Sequence, residues 1–189
     1  MTTKKDTFPV LETNRLVLRK ITKDDANSIL RYLSDKEVMK YYGLDPFTSL
    51  DDALEEISWY QSIYENKTGI RWGITLKDQG IVVGSCGFHG TVSQHYRTDI
   101  GFELSKEQWG KGIAHEAAEA IIKYGFEHLN FQRIQALIEP PNLSSQKLVE
   151  KLGFIREGLM RSYEFAGGKF DDLYMYSLLK QDFEKTINR

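Results

Sequence analysis

One cysteine, Cys86, among 189 residues leaves no partner for an intramolecular disulfide and too little sulfur for a cysteine zinc site. That economy suits a reducing cytosol. The four histidines, at 89, 95, 115 and 128, show no ligand spacing, so no metal is expected. Nowhere does an apolar run approach the roughly 18 residues needed to cross a bilayer, and no membrane partner is expected. Met1 to Asp6 lacks the apolar core of a secretion signal, so the expected location is cytoplasmic. Excess positive charge is missing too: the formal net charge is -2, whereas a nonspecific binder of nucleic-acid backbone is basic. Neither Gly-x-x-x-x-Gly-Lys-Ser/Thr nor Gly-x-Gly-x-x-Gly occurs, which argues against a nucleotide-binding α/β domain. With no internal repeat, linker or low-complexity tract, residues 1–189 read as a single domain, long enough to bury a proper core.

What is present is a regular alternation of elements. After a disordered-looking leader, Leu16 to Ile21 reads as a strand, and Thr22 or Asp24 caps a helix through Ile29, Leu30 and Leu33. Tyr41 to Phe47 is turn-like and aromatic, and residues 49–65 form a second helical stretch. Arg71 to Leu76, Ile81 to Phe88, and a segment ending at Leu104 are strands, the first two joined by a turn over 77–80. Ile113, Ala117, Ile121 and Tyr124 recur at helical spacing. Arg133 to Glu139 is a strand closed by Pro140-Pro141, which cannot extend a ladder. Asn142 is a good N-cap for a helix through Leu152, and Gly153 supplies its stop. Two long strands, Phe154 to Phe165 and Lys169 to Leu179, and a short polar helix over 180–187 follow. The order β-α-α-β-β-β-α-β-α-β-β predicts an α/β mixed sheet with helices on both faces.

The most informative stretch is Gln108-Trp109-Gly110-Lys111-Gly112-Ile113-Ala114, between a strand and a helix. Glycine lets the backbone bend and a ligand approach. The first helical N–H groups lack intrahelical partners and lie at a positive dipole end, so a phosphate can be held there by backbone alone. Read alone, the two glycines equally describe a tight strand-to-helix turn.

The surrounding order favours the cradle. The segment resembles the acetyl-CoA loop of the GNAT superfamily of N-acetyltransferases, Gln/Arg-x-x-Gly-x-Gly/Ala, with Gly112 and Ala114 in its last two fixed positions. Trp109 replaces the usual Gln or Arg and resembles the Trp-Gly-Lys-Gly variant of the RimJ/RimL branch, which acetylates protein N-termini. Asn142-x-x-Ser145 followed by Lys151-Leu152-Gly153-Phe154 is similar to the second family motif, and Gly167 to Asp172 with Tyr174-Met175-Tyr176 to the last hairpin of that branch. The resemblance implies a mostly antiparallel, twisted sheet of about seven strands and acetyl-CoA as co-substrate. It also implies direct transfer of the acetyl group to a primary amine: a protein N-terminus of the ribosomal-protein type or a small-molecule amine. A homodimer follows by analogy. A non-catalytic acetyl-CoA-binding or protein-docking module is the alternative.

On this resemblance the backbone from Trp109 through Gly110, Lys111, Gly112 and Ile113 to Ala114 binds the pyrophosphate. Phe102, Glu103 and Leu104 run beside the pantetheine, and a backbone N–H there polarises the thioester. Asn142 bonds the pantetheine arm, and Ser145 stands where other members use a tyrosine to protonate the leaving thiolate. The plainer reading of Asn142 and Ser145 is a helix N-terminus. An α-amine has a pKa near ~8 and must lose a proton. Glu103, Glu164 and Asp99 are candidate bases, with Asp99, Gly101 and Glu103 on one strand face; water alone is another. Asp172 reads as structural or acceptor-facing, Cys86 as core, His115 as solvent-facing, and Trp59, Trp72, Tyr41 and Tyr42 as core or rim.

Overall fold

The computed structural model describes residues 7–187; Met1 to Asp6 lie outside the described residues. In chain order the elements are β1 (Leu11–Glu12), β2 (Leu16–Lys20), α1 (Ala26–Leu33), α2 (Lys36–Met39), α3 (Leu50–Glu65), β3 (Ile70–Leu76), β4 (Val82–Val92), β5 (Arg97–Leu104), α4 (Ile113–Glu127), β6 (Arg133–Ile138), α5 (Leu143–Lys151), β7 (Ile155–Ala166), β8 (Lys169–Leu179) and α6 (Lys180–Ile187). They build one eight-stranded sheet of order β1-β2-β3-β4-β5-β6-β8-β7. Only β5 and β6 are parallel; all other neighbours run antiparallel.

The strand beyond the expected seven is β1, two residues long, too short to show a period. It lies in what reads as a disordered leader. That segment is held by side chains: Phe8 packs on Tyr64 at 5.0 Å, and the Trp72 indole donates to the Pro9 carbonyl at 2.9 Å. The Thr22 signal opens a 3-10 turn over Lys23–Asp25, which leads into α1. Ser49 and Asp52 form a capping box at the start of α3. Asn142 caps α5, and Gly153, at φ +90, follows its end.

Alternation along β3, β4 and β5 divides the sheet into two faces. Trp72, Ile74, Cys86, Phe88 and Ile100 meet Ile113, Ala117 and Ile121 of α4 in the larger core, joined by Val149 of α5. A smaller cluster on the other side gathers Ile29 and Leu33 of α1 with Ala53, Ile57 and Tyr60 of α3. Two irregularities position the site. β5 and β6 pair only at Arg97–Arg133, Thr98–Ile134 and Asp99–Gln135, then part, leaving residues 100–104 of β5 without β6. In β7, Met160 pairs with Leu173 and Glu164 with Asp171, so Arg161, Ser162 and Tyr163 stand opposite Asp172 alone. This is a β-bulge, a device that re-aims the side chains beyond it.

Candidate active site

The loop between β5 and α4 is an anion cradle in its geometry. Gly110 and Gly112 take φ of +73 and +76, a region costly for other residues, and a Cβ on Gly110 would meet nothing within 4 Å. Gly112 is the N-cap of α4, and no side chain caps that helix; α3 and α5 are both capped by side chains. The leading N–H groups of α4 are thus left for a ligand. Trp109, 45% exposed, ties the loop to β5 by donating from its indole to the Leu104 carbonyl at 2.8 Å. From behind, Arg15 donates to the Lys111 carbonyl at 2.9 Å and to Glu116 at 2.6 Å. Burial works against the Glu116 charge, but hydrogen bonds from Thr13 and Arg15 hold its pKa below the usual range.

Beside the loop lies a chamber of about 480 Å³ whose walls include Leu104, Trp109, Gly112, Ala114 and His115. His115 thus faces the chamber, where the sequence suggests solvent; helical spacing alone cannot show a wall supplied by another element. Lys111 contributes backbone to the loop, while its ammonium lies 3.3 Å from the Gln108 amide oxygen. A second chamber of about 510 Å³ adjoins. The two share Tyr41, Tyr42, Phe102, Glu103, Asn142 and Ser145, which makes them one cleft along the edge that β5 leaves unpaired.

Glu103 does not project freely into this cleft. Its carboxylate accepts from Arg71 and Ser85, and from the Tyr60 hydroxyl at 3.4 Å; Arg71 also donates to Ser85 at 2.7 Å. Arg71 and Glu103 are 5% and 6% exposed. Burial opposes the charge on Arg71, but Glu103 beside it raises the pKa, and the guanidinium stays protonated. Burial likewise pushes the Glu103 carboxyl up, against the pull of Arg71 and Ser85. Glu56, hydrogen-bonded by Tyr42 at 2.7 Å, lines the second chamber beneath α3.

Glu164 lines the second chamber just past the bulge in β7. Ser162 takes a φ of +48, and its N–H donates to the Asp172 carboxylate at 2.7 Å. Asp172 therefore braces the bulge. Glu139 stands at the end of β6, its pKa raised by burial and by the charges of Asp171 and Glu164. Asn142 accepts from the Ser145 N–H at 3.2 Å and from the Ser144 hydroxyl at 3.0 Å, so it caps α5 while facing both chambers. Cys86 is fully buried, and burial pushes its thiol up to about 12, an inert residue. Trp72 is core at 0% exposure; Trp59 is 40% exposed and lines the second chamber.

The cleft therefore brings together the predicted Phe102, Glu103, Leu104, Trp109, Gly110, Gly112, Ile113, Ala114, Asn142, Ser145 and Glu164. Sequence reasoning missed Arg15, Arg71, His89 and Glu139. A signal existed for Arg71: a charged residue between Ile70 and Trp72 in a strand buried on both faces.

Comparison with known proteins agrees with this geometry. Residues 15–155 match the acetyltransferase (GNAT) domain. The chain belongs to the GNAT family. YoaA of Bacillus subtilis (strain 168), named an uncharacterized N-acetyltransferase, is 40% identical over 173 residues, 92% of this chain and 98% of its own. The [ribosomal protein uS5]-alanine N-acetyltransferase of Escherichia coli (strain K12) is 25% identical over 92% of each chain, in keeping with a RimJ/RimL-like member of the GNAT family. The crystal structure of a GNAT-family acetyltransferase from Bacillus anthracis shares 30% identity, with a TM-score of 0.82 over 92% of this chain and 99% of that one. As a GNAT member, the chain is an acetyl-CoA-dependent N-acetyltransferase. No helix among the described residues is long and apolar enough to cross a membrane.

Proposed function

We propose that the chain moves the acetyl group of acetyl-CoA directly onto a primary amine seated in the larger chamber, a protein N-terminal amine being the preferred acceptor. The observation that carries this reading is the continuity of the two chambers along the unpaired edge of β5. The smaller chamber ends on an uncapped helix terminus, which suits a pyrophosphate. The larger is walled by Asp99, Glu139 and Glu164, which favour a cationic amine. Similarity to the uS5-alanine enzyme supports the N-terminal acceptor.

In this scheme the amine nitrogen attacks the thioester carbonyl carbon. A backbone N–H of Phe102, Glu103 or Leu104 stabilises the oxyanion. Glu164 accepts the amine proton, directly or through water, because Glu103 is already engaged by Arg71 and Ser85. The carbon–sulfur bond then breaks, and the Ser145 hydroxyl hydrogen-bonds the departing thiolate and hands it a proton as water replaces the serine's own. A thiol of pKa near ~8.5 is an adequate leaving group, so Ser145→Ala should lower kcat only about 10- to 100-fold.

Calorimetric titration of acetyl-CoA into wild type and Gly112→Asp tests the reading. Binding that the carboxylate abolishes supports it, whereas no binding to wild type defeats it. Coenzyme binding without thiol release on any amine or peptide would instead favour a non-catalytic module.

A further inference from the structure

Two helices begin at the cleft, and they are held at their starts in different ways. Asn142 caps α5, whereas no side chain caps α4. A capping side chain works by accepting from the first N–H groups of a helix, and at α4 those are the groups a phosphate needs. The start of α4 must therefore be fixed through other atoms. The need is sharper because Gly110 and Gly112, both at positive φ, put few conformational limits of their own on the loop before it.

What holds it comes from a distant part of the chain. The Glu116 N–H donates to the Gly112 carbonyl at 3.1 Å and so opens the helix ladder. The Glu116 side chain lines neither chamber and reaches instead the turn between β1 and β2. There its carboxylate accepts from the Thr13 hydroxyl at 2.6 Å, from the Arg15 backbone N–H at 2.9 Å and from Arg15 Nε at 2.6 Å. The same guanidinium donates from Nη1 to the Lys111 carbonyl at 2.9 Å, and a Cβ on Gly112 would lie 3.5 Å from its Nη2. Arg15 thus grips the chain on both sides of Gly112, one residue before it and one turn after it. None of these contacts uses an N–H of the loop. The anchor is itself fixed: the Leu16 N–H donates to the Thr13 hydroxyl at 3.0 Å, and the Lys77 N–H donates to the Arg15 carbonyl at 3.0 Å.

We infer that Thr13, Arg15 and Glu116 form a clamp that presets the loop of Gly110 and Gly112 for acetyl-CoA, with Arg15 as a positioning residue that acts from behind the cradle. This rests on the reading that the cradle takes the pyrophosphate. The gain is preorganisation, since a loop already fixed in its binding shape loses less freedom when the ligand arrives. The clamp also accounts for Glu116 itself. On charge grounds alone, a carboxylate one turn from a bound diphosphate is unfavourable.

The test is calorimetric titration of acetyl-CoA into wild type, Arg15→Ala, Arg15→Lys, Glu116→Ala and the double variant Arg15→Ala/Glu116→Ala. Melting curves keep every titration well below unfolding. Arg15→Ala should raise Kd about 10-fold, the scale of one hydrogen bond to a charged group. Glu116→Ala should raise it too, although it removes a negative charge near the phosphates. The double variant should be little worse than the worse single one, because the two residues act as a unit. Arg15→Lys should regain only part of the affinity, as an ammonium lacks the fork that reaches both acceptors. These ratios should persist at about 0.5 M salt, where exposed charges are screened. Tighter binding by Glu116→Ala, or ratios that vanish in salt, would reduce the effect to net charge and overturn the inference. So would an unchanged Kd in variants that merely melt earlier, or two single effects that add in full. Gly112→Asp, titrated alongside, separates the two proposals. If it binds acetyl-CoA as wild type does, the cradle is not the coenzyme site, and the proposed function fails together with the clamp. Binding lost in Gly112→Asp but intact in Arg15→Ala defeats the clamp alone.

Discussion

The two faces of the sheet under β3, β4 and β5 are built on opposite principles. Toward α4 the sheet presents an apolar cluster: Trp72, Phe88 and Ile100 with Ile113, Ala117 and Ile121. Toward α3 the same strands carry Arg71, Ser85 and Glu103, roofed by Tyr60 and Glu56. Dispersion and hydrophobic burial hold the first face without directional demands. On the second, polar groups that need partners stand beside the smaller apolar cluster of α1 and α3, and it is the one that opens onto the chamber. Placing the ionic groups there fixes the chamber wall by hydrogen bonds, and the apolar face supplies the stability that such a wall does not.

The largest expected effect separates the faces by the logic of rescue. Arg71→Ala or Glu103→Ala leaves one buried charge unpaired and should lower stability by about 3–5 kcal/mol. The double variant Arg71→Met/Glu103→Leu should lose clearly less than the sum. Phe88→Ala should also cost about 3–5 kcal/mol, through a cavity. Urea unfolding of all four would show it; strict additivity of the first pair would erase the distinction drawn here.

A smaller effect depends on pH. Burial, with Arg71 nearby, pushes the His89 pKa down to about 4 from an ordinary 6.5. Between these values the unfolded chain takes up a proton that the native ring refuses. Stability is therefore fully present above about pH 6.5 and lost as pH falls toward 4, by up to about 3 kcal/mol. The carboxyls of Glu103, Asp99 and Glu139, raised by burial, act with the opposite sign. They are common to wild type and His89→Gln, so unfolding of both at pH 7 and pH 4.5 isolates the histidine. Equal losses in the two proteins would show that the ring is not shielded.

The smallest effects come from single Cβ atoms. On the apolar face a Cβ added at Gly125 would lie 2.9 Å from Phe88 Cζ, so Gly125→Ala should destabilise by about 1–3 kcal/mol. Across the sheet, Ser162 holds a φ of +48 in the β7 bulge, and Ser162→Gly should stabilise by about 0.5–1 kcal/mol. Melting temperatures that moved in the same direction would contradict this assignment of strain.

Parts of the site that act through backbone were legible in the sequence. Glycine at 110 and 112 and asparagine at 142 leave their mark because turns and caps demand particular residue types. The longer helices were legible from apolar spacing and caps, and β8 from its bounding turn, but the four-residue α2 was not. Contacts set by register were not. Nothing local tells Glu103 that Arg71 lies against it, or Arg15 that Glu116, 101 positions away, accepts its N–H. His89 and Asp99 are neighbours only because β4 and β5 align those two residues. Asp172 illustrates the same limit: its role as a brace follows from a bulge that no residue pattern announces.

The seam between β5 and β6 has a consequence for how the chain folds. Strands β1 to β5 are neighbours in space in the same order as in sequence, and β6, β7 and β8 pair only among themselves apart from three residue pairs at the seam. Each part of the sheet is thus assembled from its own stretch of chain, and pairings close in sequence form sooner than distant ones. The candidate cleft lies on the join, so it is completed last. On refolding, acetyl-CoA binding should recover after the far-ultraviolet signal, and activity would then report the finished molecule where helix content reports only its parts.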